Sequence, residues 1–287
     1  MIVNKNTITG KWVLVDNHKI HYLESGEQNE ETIVFIHGTF LDSNFLYQTT
    51  AELLSKNYRV IAVSLPGYGY SSKIYSQHNT FYFINFLDKF LKALDISDMS
   101  LVGNSMGGSI VLGYALTYQL GVQKLVLIDS YGLGHKLPMH KLVYEISKLP
   151  FLFDLIWNIC SKSEKMFFLS MKFFVHNTEI VAKDTVAELR KLLRGKVGRK
   201  TIKLWLRGEI KKAGSYTNFE HQLHLLNIPT LIIHGERDRI IPLDWSVKAS
   251  MKIKKSKLHV LKETGHNPLI DKPEEISQLI DEFLREK

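Results

Sequence analysis

A chain of 287 residues, 45% of them hydrophobic, is long enough for one large α/β domain, or for one such domain with an inserted subdomain. The single cysteine, Cys160, excludes an intramolecular disulfide and a cysteine-based metal cluster, and we expect a cytoplasmic protein. There is no uninterrupted apolar stretch of about 18 residues that would predict a transmembrane helix, and residues 1–6 lack the apolar core of a signal peptide.

The formal net charge of +8 is concentrated in one segment. Residues 190–212 hold ten Lys and Arg against one acid, Glu209, which gives this segment a net charge of +9. A solvated helix face explains such a run, and the functional alternatives are attraction of an anionic substrate or contact with an anionic membrane surface. Because no zinc-finger or RNP sequence accompanies the run, we expect no nucleic-acid partner.

The first half of the chain alternates strands with helices. Two short strand-like runs, 11–15 and 19–23, are separated by Asp16-Asn17-His18, which predicts a hairpin. Continuous apolar and β-branched runs are typical of strands buried on both faces, whereas amphipathic spacing is typical of helices. These patterns predict further strands at 32–36, 58–63, 99–102 and 124–128, and helices at 44–54, 80–94 and 110–120.

The alternation stops between residues 131 and 227. No buried strand pattern interrupts this segment, which is predicted to form helices at 139–149, 151–161, 163–175, 181–194 and 198–211. The alternation then resumes with strands at 230–234 and 257–261 and helices at 243–251 and 273–285. We therefore predict an α/β fold with a mostly parallel sheet and helices on both faces. Its core comprises residues 1–130 and 228–287, and residues 131–227 form an inserted helical cap or lid.

A serine lies at the predicted strand-to-helix turn of residues 102–108. Glycines stand two residues before and two residues after Ser105, in the pattern of a nucleophile elbow. The turn strains the backbone and exposes the hydroxyl, while glycines remove side chains that would collide. The following helix directs N–H groups at negative charge that develops during a reaction.

A serine nucleophile needs a base, and the base needs an orienting carboxylate. Asp238 follows the predicted strand 230–234, and His266 follows the strand 257–261, so both lie where ligands bind in open α/β sheets. We therefore predict the catalytic triad Ser105, Asp238 and His266. Asp129 also ends a strand and is the alternative acid.

The chain resembles the α/β-hydrolase fold family over residues 8 to 286. The resemblance rests on five motifs in order: His37-Gly38, the run 65–71, the elbow 103–108, the run 234–238, and Gly265-His266. It implies the α/β-hydrolase fold and an oxyanion hole made by the peptide N–H groups of Met106 and Thr39, with Phe40 as the neighbouring alternative to Thr39. The position of Met106 directly after the nucleophile independently supports its role.

A serine at the elbow disfavours the dehalogenases and epoxide hydrolases of this fold, which use aspartate there. The expected activity is cleavage of a carboxylic ester or thioester with a hydrophobic acyl or aryl group, through an acyl-enzyme, as in carboxylesterases and lipases. No metal or other cofactor is expected.

Two other functions remain open. The elbow Gly-Asn-Ser-Met-Gly-Gly at 103–108 is similar to that of carbon–carbon bond hydrolases that cleave ring-fission products of aromatic compounds. The chain departs from those enzymes at Thr39-Phe40-Leu41-Asp42, where they have a Gly/Pro-rich run, and at Asn267, where many have an aromatic residue. A ligand-binding protein that retains the fold is the third alternative, although it would not need a complete triad.

The predicted cap is rich in large apolar side chains. These residues either seal the cap onto the core or line an apolar pocket over Ser105. The pocket residues that we predict are Phe40, Trp157, Phe167 and Met171. A peripheral contact of the basic and apolar cap with a membrane is a further alternative.

Overall fold

The computed structural model describes residues 10–74, 78–176, 178, 181, 183–191, 194 and 198–286. The signal-peptide argument on residues 1–6 and parts of the 181–194 helix and of the 190–212 basic run (182, 192, 193 and 195–197) lie outside the described residues. Among the described residues the strands are β1 (Lys11–Val15), β2 (His18–Ser25), β3 (Thr32–Ile36), β4 (Arg59–Val63), β5 (Met99–Asn104), β6 (Val122–Ile128), β7 (Ile210–Lys211), β8 (Gly214–Ser215), β9 (Thr230–Gly235) and β10 (Ser256–Leu261).

The α-helices of the described chain follow the predicted pattern closely. A π-helical turn, Tyr47–Ala51, joins the first two into one continuous segment. The helices are α1 (Ser43–Leu46), α2 (Glu52–Leu54), α3 (Thr80–Ala93), α4 (Met106–Thr117), α5 (His140–Lys148), α6 (Pro150–Lys162), α7 (Glu164–Met171), α8 (Lys183–Lys191), α9 (Arg199–Glu209), α10 (Leu243–Lys252), α11 (Pro268–Asp271) and α12 (Pro273–Arg285).

Eight strands form one sheet in the order β1-β2-β4-β3-β5-β6-β9-β10. Strand β2 pairs antiparallel with β1 and β4, and the other neighbours are parallel. The turn between β1 and β2 has positive φ at Asp16 (48°) and Asn17 (64°), as a two-residue hairpin turn requires. The carboxyl ends of the parallel strands meet at one edge of the sheet, which confirms the predicted fold class and positions the site.

Helices cover both faces of this sheet, which explains why its strands are continuously apolar. Val34 and Ile36 of β3 point into a cluster with α3 and α4, whereas Ile33 and Phe35 point into a cluster on the opposite face with α12. Because successive side chains of a strand alternate between faces, both sets are buried. The two clusters hold the main core of the protein.

A helical insertion, α5 to α9, lies between β6 and β9. It contains a two-stranded hairpin, β7 with β8, that the prediction of an uninterrupted helical segment missed, because two-residue strands leave no apolar run to detect. Among the described residues, no helix combines the length and the apolar character needed to cross a membrane. The exact division into a core of 1–130 and 228–287 and a cap of 131–227 stays a prediction.

Candidate active site

Ser105 occupies the sharp turn between β5 and α4. Its backbone has φ 53° and ψ −115°, a conformation that L-residues adopt only under strain. The Ser105 N–H donates to the carbonyl oxygen of Ile128 (2.9 Å), and the Tyr131 N–H donates to the carbonyl oxygen of Ser105 (3.0 Å). These two hydrogen bonds to the end of β6 and its loop hold the strained turn in place.

The glycines on both sides of Ser105 are required by close packing. A Cβ on Gly103 would collide with the carbonyl of Gly107, and a Cβ on Gly107 would collide with the carbonyl of Ile36 at the end of β3. The spacing of the motif is therefore a consequence of how tightly strand β5, helix α4 and strand β3 approach one another.

The structure brings the three predicted triad residues together. His266 Nε2 lies 2.9 Å from Ser105 Oγ, and His266 Nδ1 lies 2.7 Å from Asp238 Oδ2. The carboxylate only accepts hydrogen bonds, so the proton of the neutral imidazole belongs on Nδ1 and Nε2 is free to accept the serine proton. Ser105, His266 and Asp238 thus form a continuous hydrogen-bonded series.

Two loops hold Asp238 and His266 next to each other. Asp238 Oδ1 accepts hydrogen bonds from the N–H groups of Ile240 (2.7 Å) and Ile241 (3.0 Å). A Cβ on Gly235 would collide with the carbonyl of Gly265, so the backbones of the two loops are in direct contact at this point. Burial raises the pKa of Asp238, but the charge and hydrogen bond of His266 outweigh it, and the net pKa lies below the ordinary value. Asp238 is therefore ionised at neutral pH.

His234 and Asp129 are two further buried titratable residues, and both lie close to Asp238. His234 Nε2 donates to the carbonyl of Ile241 (3.1 Å), and Nδ1 accepts from the Ser246 hydroxyl (2.8 Å). Burial lowers the pKa of His234 to about 4, so the ring is neutral. Asp129 accepts from the Gly235 N–H (2.9 Å), and burial, with the charge of Asp238, raises its pKa well above the ordinary value.

Asp129, His234 and Asp238 are also the residues that could in principle share a cation. One ligand atom from each lies within 4.8 Å of the others. However, both nitrogens of His234 are hydrogen-bonded within the protein, and Asp238 is hydrogen-bonded to His266. The group is therefore a hydrogen-bonded support for the loops after β6 and β9, and its donor set does not match an open metal centre.

The loop after β3 passes directly beside Ser105. A Cβ on Gly38 would lie 3.2 Å from Ser105 Cβ, and a turn closed by the Leu41 N–H and the Gly38 carbonyl (3.2 Å) carries Thr39 at its centre. His37 fixes this loop: its Nδ1 donates to Gly38 O (2.7 Å) and its Nε2 accepts from the Leu65 N–H (3.1 Å). Thr39 and Met106, the first residue of α4, are both buried at this position.

The four predicted pocket residues fall into two groups. Phe40 and Trp157 stack with ring centroids 6.3 Å apart, and Phe174 links Phe40 (5.2 Å) to His266 (6.3 Å). Phe167 and Met171 belong to a small apolar cluster against which Phe174 also packs. Phe174 therefore connects both groups to His266.

A buried carboxylate connects the insertion to the elbow. Glu209, at the end of α9, accepts hydrogen bonds from the N–H of Thr80 (2.6 Å), the N–H and Oγ1 of Thr217 (3.1 and 3.0 Å) and the Tyr131 hydroxyl (3.3 Å). Because the Tyr131 N–H binds the Ser105 carbonyl, the insertion is linked to the nucleophile turn through one residue.

Sequence reasoning missed three of these residues. The dense aromatic run around Phe174 was a detectable signal, although it did not single this residue out. His234 lies in the motif run 234–238, but the run does not predict its buried hydrogen bonds, and Glu209 stands out in the sequence only as the one acid in a basic run. Their importance depends on partners far away along the chain, which spacing does not reveal.

Comparison with known proteins places the chain in a family. A family model described as "alpha/beta hydrolase fold" matches residues 31–154, and one described as "TAP-like protein" matches residues 210–287. The chain belongs to the α/β-hydrolase fold family. With a serine at its elbow, it is a serine hydrolase of that fold.

This α/β hydrolase is similar to several named enzymes. It is 25% identical to a 2-hydroxy-6-oxo-2,4-heptadienoate hydrolase of Pseudomonas putida, over 99% of each chain. It is 29% identical to a 2-hydroxymuconate semialdehyde hydrolase of Pseudomonas sp. strain CF600, over 81% of this chain and 78% of the relative. Among solved structures, a bacterial membrane phospholipase A is 26% identical with a TM-score of 0.80, over 96% of this chain and 85% of that chain.

Proposed function

We propose that Ser105 is the nucleophile, His266 the general base and Asp238 the orienting acid of a hydrolase that acts on a small carbonyl compound. The observation that carries the proposal is the pair of short contacts from His266, 2.9 Å to Ser105 Oγ and 2.7 Å to Asp238 Oδ2. Ser105 Oγ attacks the carbonyl carbon while His266 takes the hydroxyl proton. Asp238 stabilises the resulting imidazolium.

The negative charge of the tetrahedral intermediate needs hydrogen-bond donors. We assign this role to the N–H groups of Met106 and Thr39. The assignment is supported by the start of α4 at Met106 and by the passage of the 38–41 turn beside Ser105. His266 then protonates the leaving group. In the second half of the reaction His266 takes a proton from water, the water attacks the acyl-enzyme, and His266 returns the proton to Ser105.

The reaction that we propose first is hydrolysis of a carbon–carbon bond next to a ketone in a 2-hydroxy-6-oxo-dienoate. It is supported by the names of the two relatives from Pseudomonas, a 2-hydroxy-6-oxo-2,4-heptadienoate hydrolase and a 2-hydroxymuconate semialdehyde hydrolase. In this reaction the bond between the attacked ketone carbon and its neighbour breaks. Ketonisation of the substrate first moves the proton of its 2-hydroxyl to the carbon next to the ketone, so that this carbon is saturated when the bond breaks. The conjugated 2-oxo-enoate then accepts the electron pair as a dienolate, and the dienolate oxygen takes the proton from His266.

A second candidate is hydrolysis of a carboxylic ester or thioester with a hydrophobic acyl chain. The aromatic contacts from Trp157 through Phe40 and Phe174 to His266 favour an apolar group beside the base. The likeness to a phospholipase A also supports it. Asn267 and the run 39–42, which depart from the carbon–carbon hydrolase pattern, are better accommodated by this candidate.

The first experiment is labelling with a fluorophosphonate probe. We expect the wild-type protein and the control Ser97→Ala, at an exposed serine, to be labelled, and Ser105→Ala to remain unlabelled with an unchanged circular dichroism spectrum. Labelling of Ser105→Ala would contradict the assignment of the nucleophile. A folded wild-type protein that resists the probe would favour the ligand-binding alternative.

The second experiment separates the two reactions. Turnover is measured on 6-methyl and 6-phenyl 2-hydroxy-6-oxo-dienoates and on 4-nitrophenyl esters of two to twelve carbons. A kcat/KM at least 100-fold higher for a dienoate than for any ester is the expected result. The reverse ratio, abolished by Ser105→Ala, would establish the ester candidate.

A further inference from the structure

The basic charge of this protein belongs almost entirely to its insertion. Residues 131–227 contain 17 Lys and Arg and 8 Asp and Glu, a net charge of +9, whereas the rest of the chain has 20 and 21, a net charge of −1. An asymmetry of this size directs one side of a molecule toward anionic surfaces at ordinary ionic strength.

Helix α6 of the insertion has two different apolar faces. Its inner face carries Trp157, which stacks on Phe40, and Phe153, which stacks on Trp157 (5.8 Å). Its outer face carries Phe151, Leu155 and Ile159, four residues apart, which are 68%, 54% and 42% exposed. We call these three residues the outer cap stripe.

Exposed apolar side chains continue on the helices next to α6. Leu142 of α5 is 50% exposed and Leu169 of α7 is 52% exposed, and α6 packs against both helices. Scattered single leucines are normal on a protein surface, but a row on one helix with neighbours on two others is a patch that marks an interaction.

The charges around the outer cap stripe favour an anionic partner. Lys162 lies seven residues after Leu155, so it projects from the same face of α6, and Lys165 is exposed at the start of the following helix, α7. The three acidic residues nearest in sequence to the outer cap stripe are each paired with a cation, so their charges are offset. The pairs are Glu145 with Lys148 (3.1 Å), Asp154 with Lys203 (2.9 Å) and Glu164 with Arg190 (2.9 Å).

We propose that the outer cap stripe and its surrounding lysines dock this protein onto an anionic phospholipid membrane surface. In a helix that lies in a membrane interface, a row of apolar side chains enters the boundary of the acyl chains, and lysines beside it contact the lipid headgroups. The 13 residues of α6 span about 20 Å, too short to cross a bilayer. The proposal does not depend on which bond the hydrolase cleaves.

Vesicle co-sedimentation tests this surface with the full-length protein. The vesicles are phosphatidylcholine alone or phosphatidylcholine with 30% phosphatidylglycerol, at 50 and 500 mM salt. We expect binding to the anionic vesicles at low salt, weakened at least tenfold by Phe151→Ser with Leu155→Ser. The matched control is Leu120→Ser with Met251→Ser, which removes apolar side chains 95% and 79% exposed on the rest of the protein and should bind as the wild type does.

Charge is tested separately. Lys162→Glu with Lys165→Glu should abolish the preference for anionic vesicles, whereas Lys254→Glu with Lys255→Glu, exposed between α10 and β10, should retain it. All variants should keep the fluorophosphonate labelling and melting temperature of the wild type. Absence of vesicle binding at 50 mM salt, or equal losses in stripe and control variants, would overturn the proposal. A dimer in solution that Phe151→Ser with Leu155→Ser dissociates, without vesicle binding, would assign the surface to a second copy instead.

Discussion

Two buried carboxyl groups that follow neighbouring strands have opposite environments. Asp238 has its oxygens hydrogen-bonded to two backbone N–H groups and to His266, and these partners keep its pKa below the ordinary value despite burial. Asp129 has one oxygen bonded to the Gly235 N–H, and burial keeps its pKa high. At the residue level, environment thus favours the charged form of Asp238 and disfavours the charged form of Asp129.

Substitution of each aspartate by asparagine tests this assignment. Asp129→Asn should leave kcat/KM within about threefold of the wild type, because the amide oxygen can still accept the hydrogen bond from the Gly235 N–H. Asp238→Asn should lower kcat by about 10⁴-fold through loss of the orienting charge. Steady-state kinetics on the preferred substrate provide the measurement. A large loss in Asp129→Asn with normal melting behaviour would instead make Asp129 the triad acid.

At the level of elements, α9 is joined to α3 and to the loop after β6 through Glu209. Its carboxylate receives four hydrogen bonds, from Thr80 at the start of α3, from Thr217 and from Tyr131. Trp205 on the same helix packs edge-on against Tyr131 (5.4 Å). The side chain of Glu209 therefore joins the insertion to α3 and to Tyr131, whose N–H binds the Ser105 carbonyl.

The substitution Glu209→Gln should destabilise the protein by about 2 kcal/mol, because the amide NH₂ group leaves two buried donors without an acceptor. We also expect faster proteolysis within the insertion and a lower kcat/KM, because Tyr131 supports Ser105. The matched control is Glu164→Gln, at an exposed ion pair, which should change the free energy of unfolding by less than about 0.5 kcal/mol. Urea unfolding of both variants gives the comparison, and equal stability would refute the anchoring role.

For the whole molecule, buried neutral histidines link stability to pH. Burial lowers the pKa of His37 from 6.5 to about 4, and His234 behaves in the same way. The unfolded chain binds these protons more readily than the folded one, so each histidine favours unfolding as the pH falls from 6.5 toward 4. Asp129, with its raised pKa, acts in the opposite direction because its proton is bound more tightly in the folded state.

Comparison of the wild type with His37→Gln isolates one of these contributions. The variant should be less stable at pH 7, because it loses the hydrogen bonds to Gly38 and Leu65. Glutamine does not titrate, however, so the unfolded variant does not gain the proton that His37 binds in the unfolded wild type as the pH falls. The stability advantage of the wild type should therefore shrink by about 2 kcal/mol between pH 7 and pH 5. The exposed control His224→Gln should follow the wild type at every pH in urea unfolding, and a parallel curve for His37→Gln would contradict the buried neutral ring.

Most of the fold was predictable from local patterns. The hairpin of β1 and β2, the buried strands, the elbow turn and the interruption of the α/β alternation all follow from spacing and turn chemistry over a few residues. The order Ser105, Asp238, His266 was predictable for a related reason: each residue follows a strand, and the carboxyl ends of parallel strands meet at one edge. Periodicity and topology together therefore determine where these three side chains lie.

Features that depend on distant partners were not predictable. The hairpin of β7 and β8, the contact of Phe174 with His266, the pairing of Asp129 with the loop after β9, and the four donors around Glu209 each join segments far apart in the chain. The same limit applies to the predicted pocket, because Phe40 and Trp157 meet beside the triad while Phe167 and Met171 are buried within the insertion. Helical spacing identifies an apolar face, but only the packing of helices against one another determines what that face contacts.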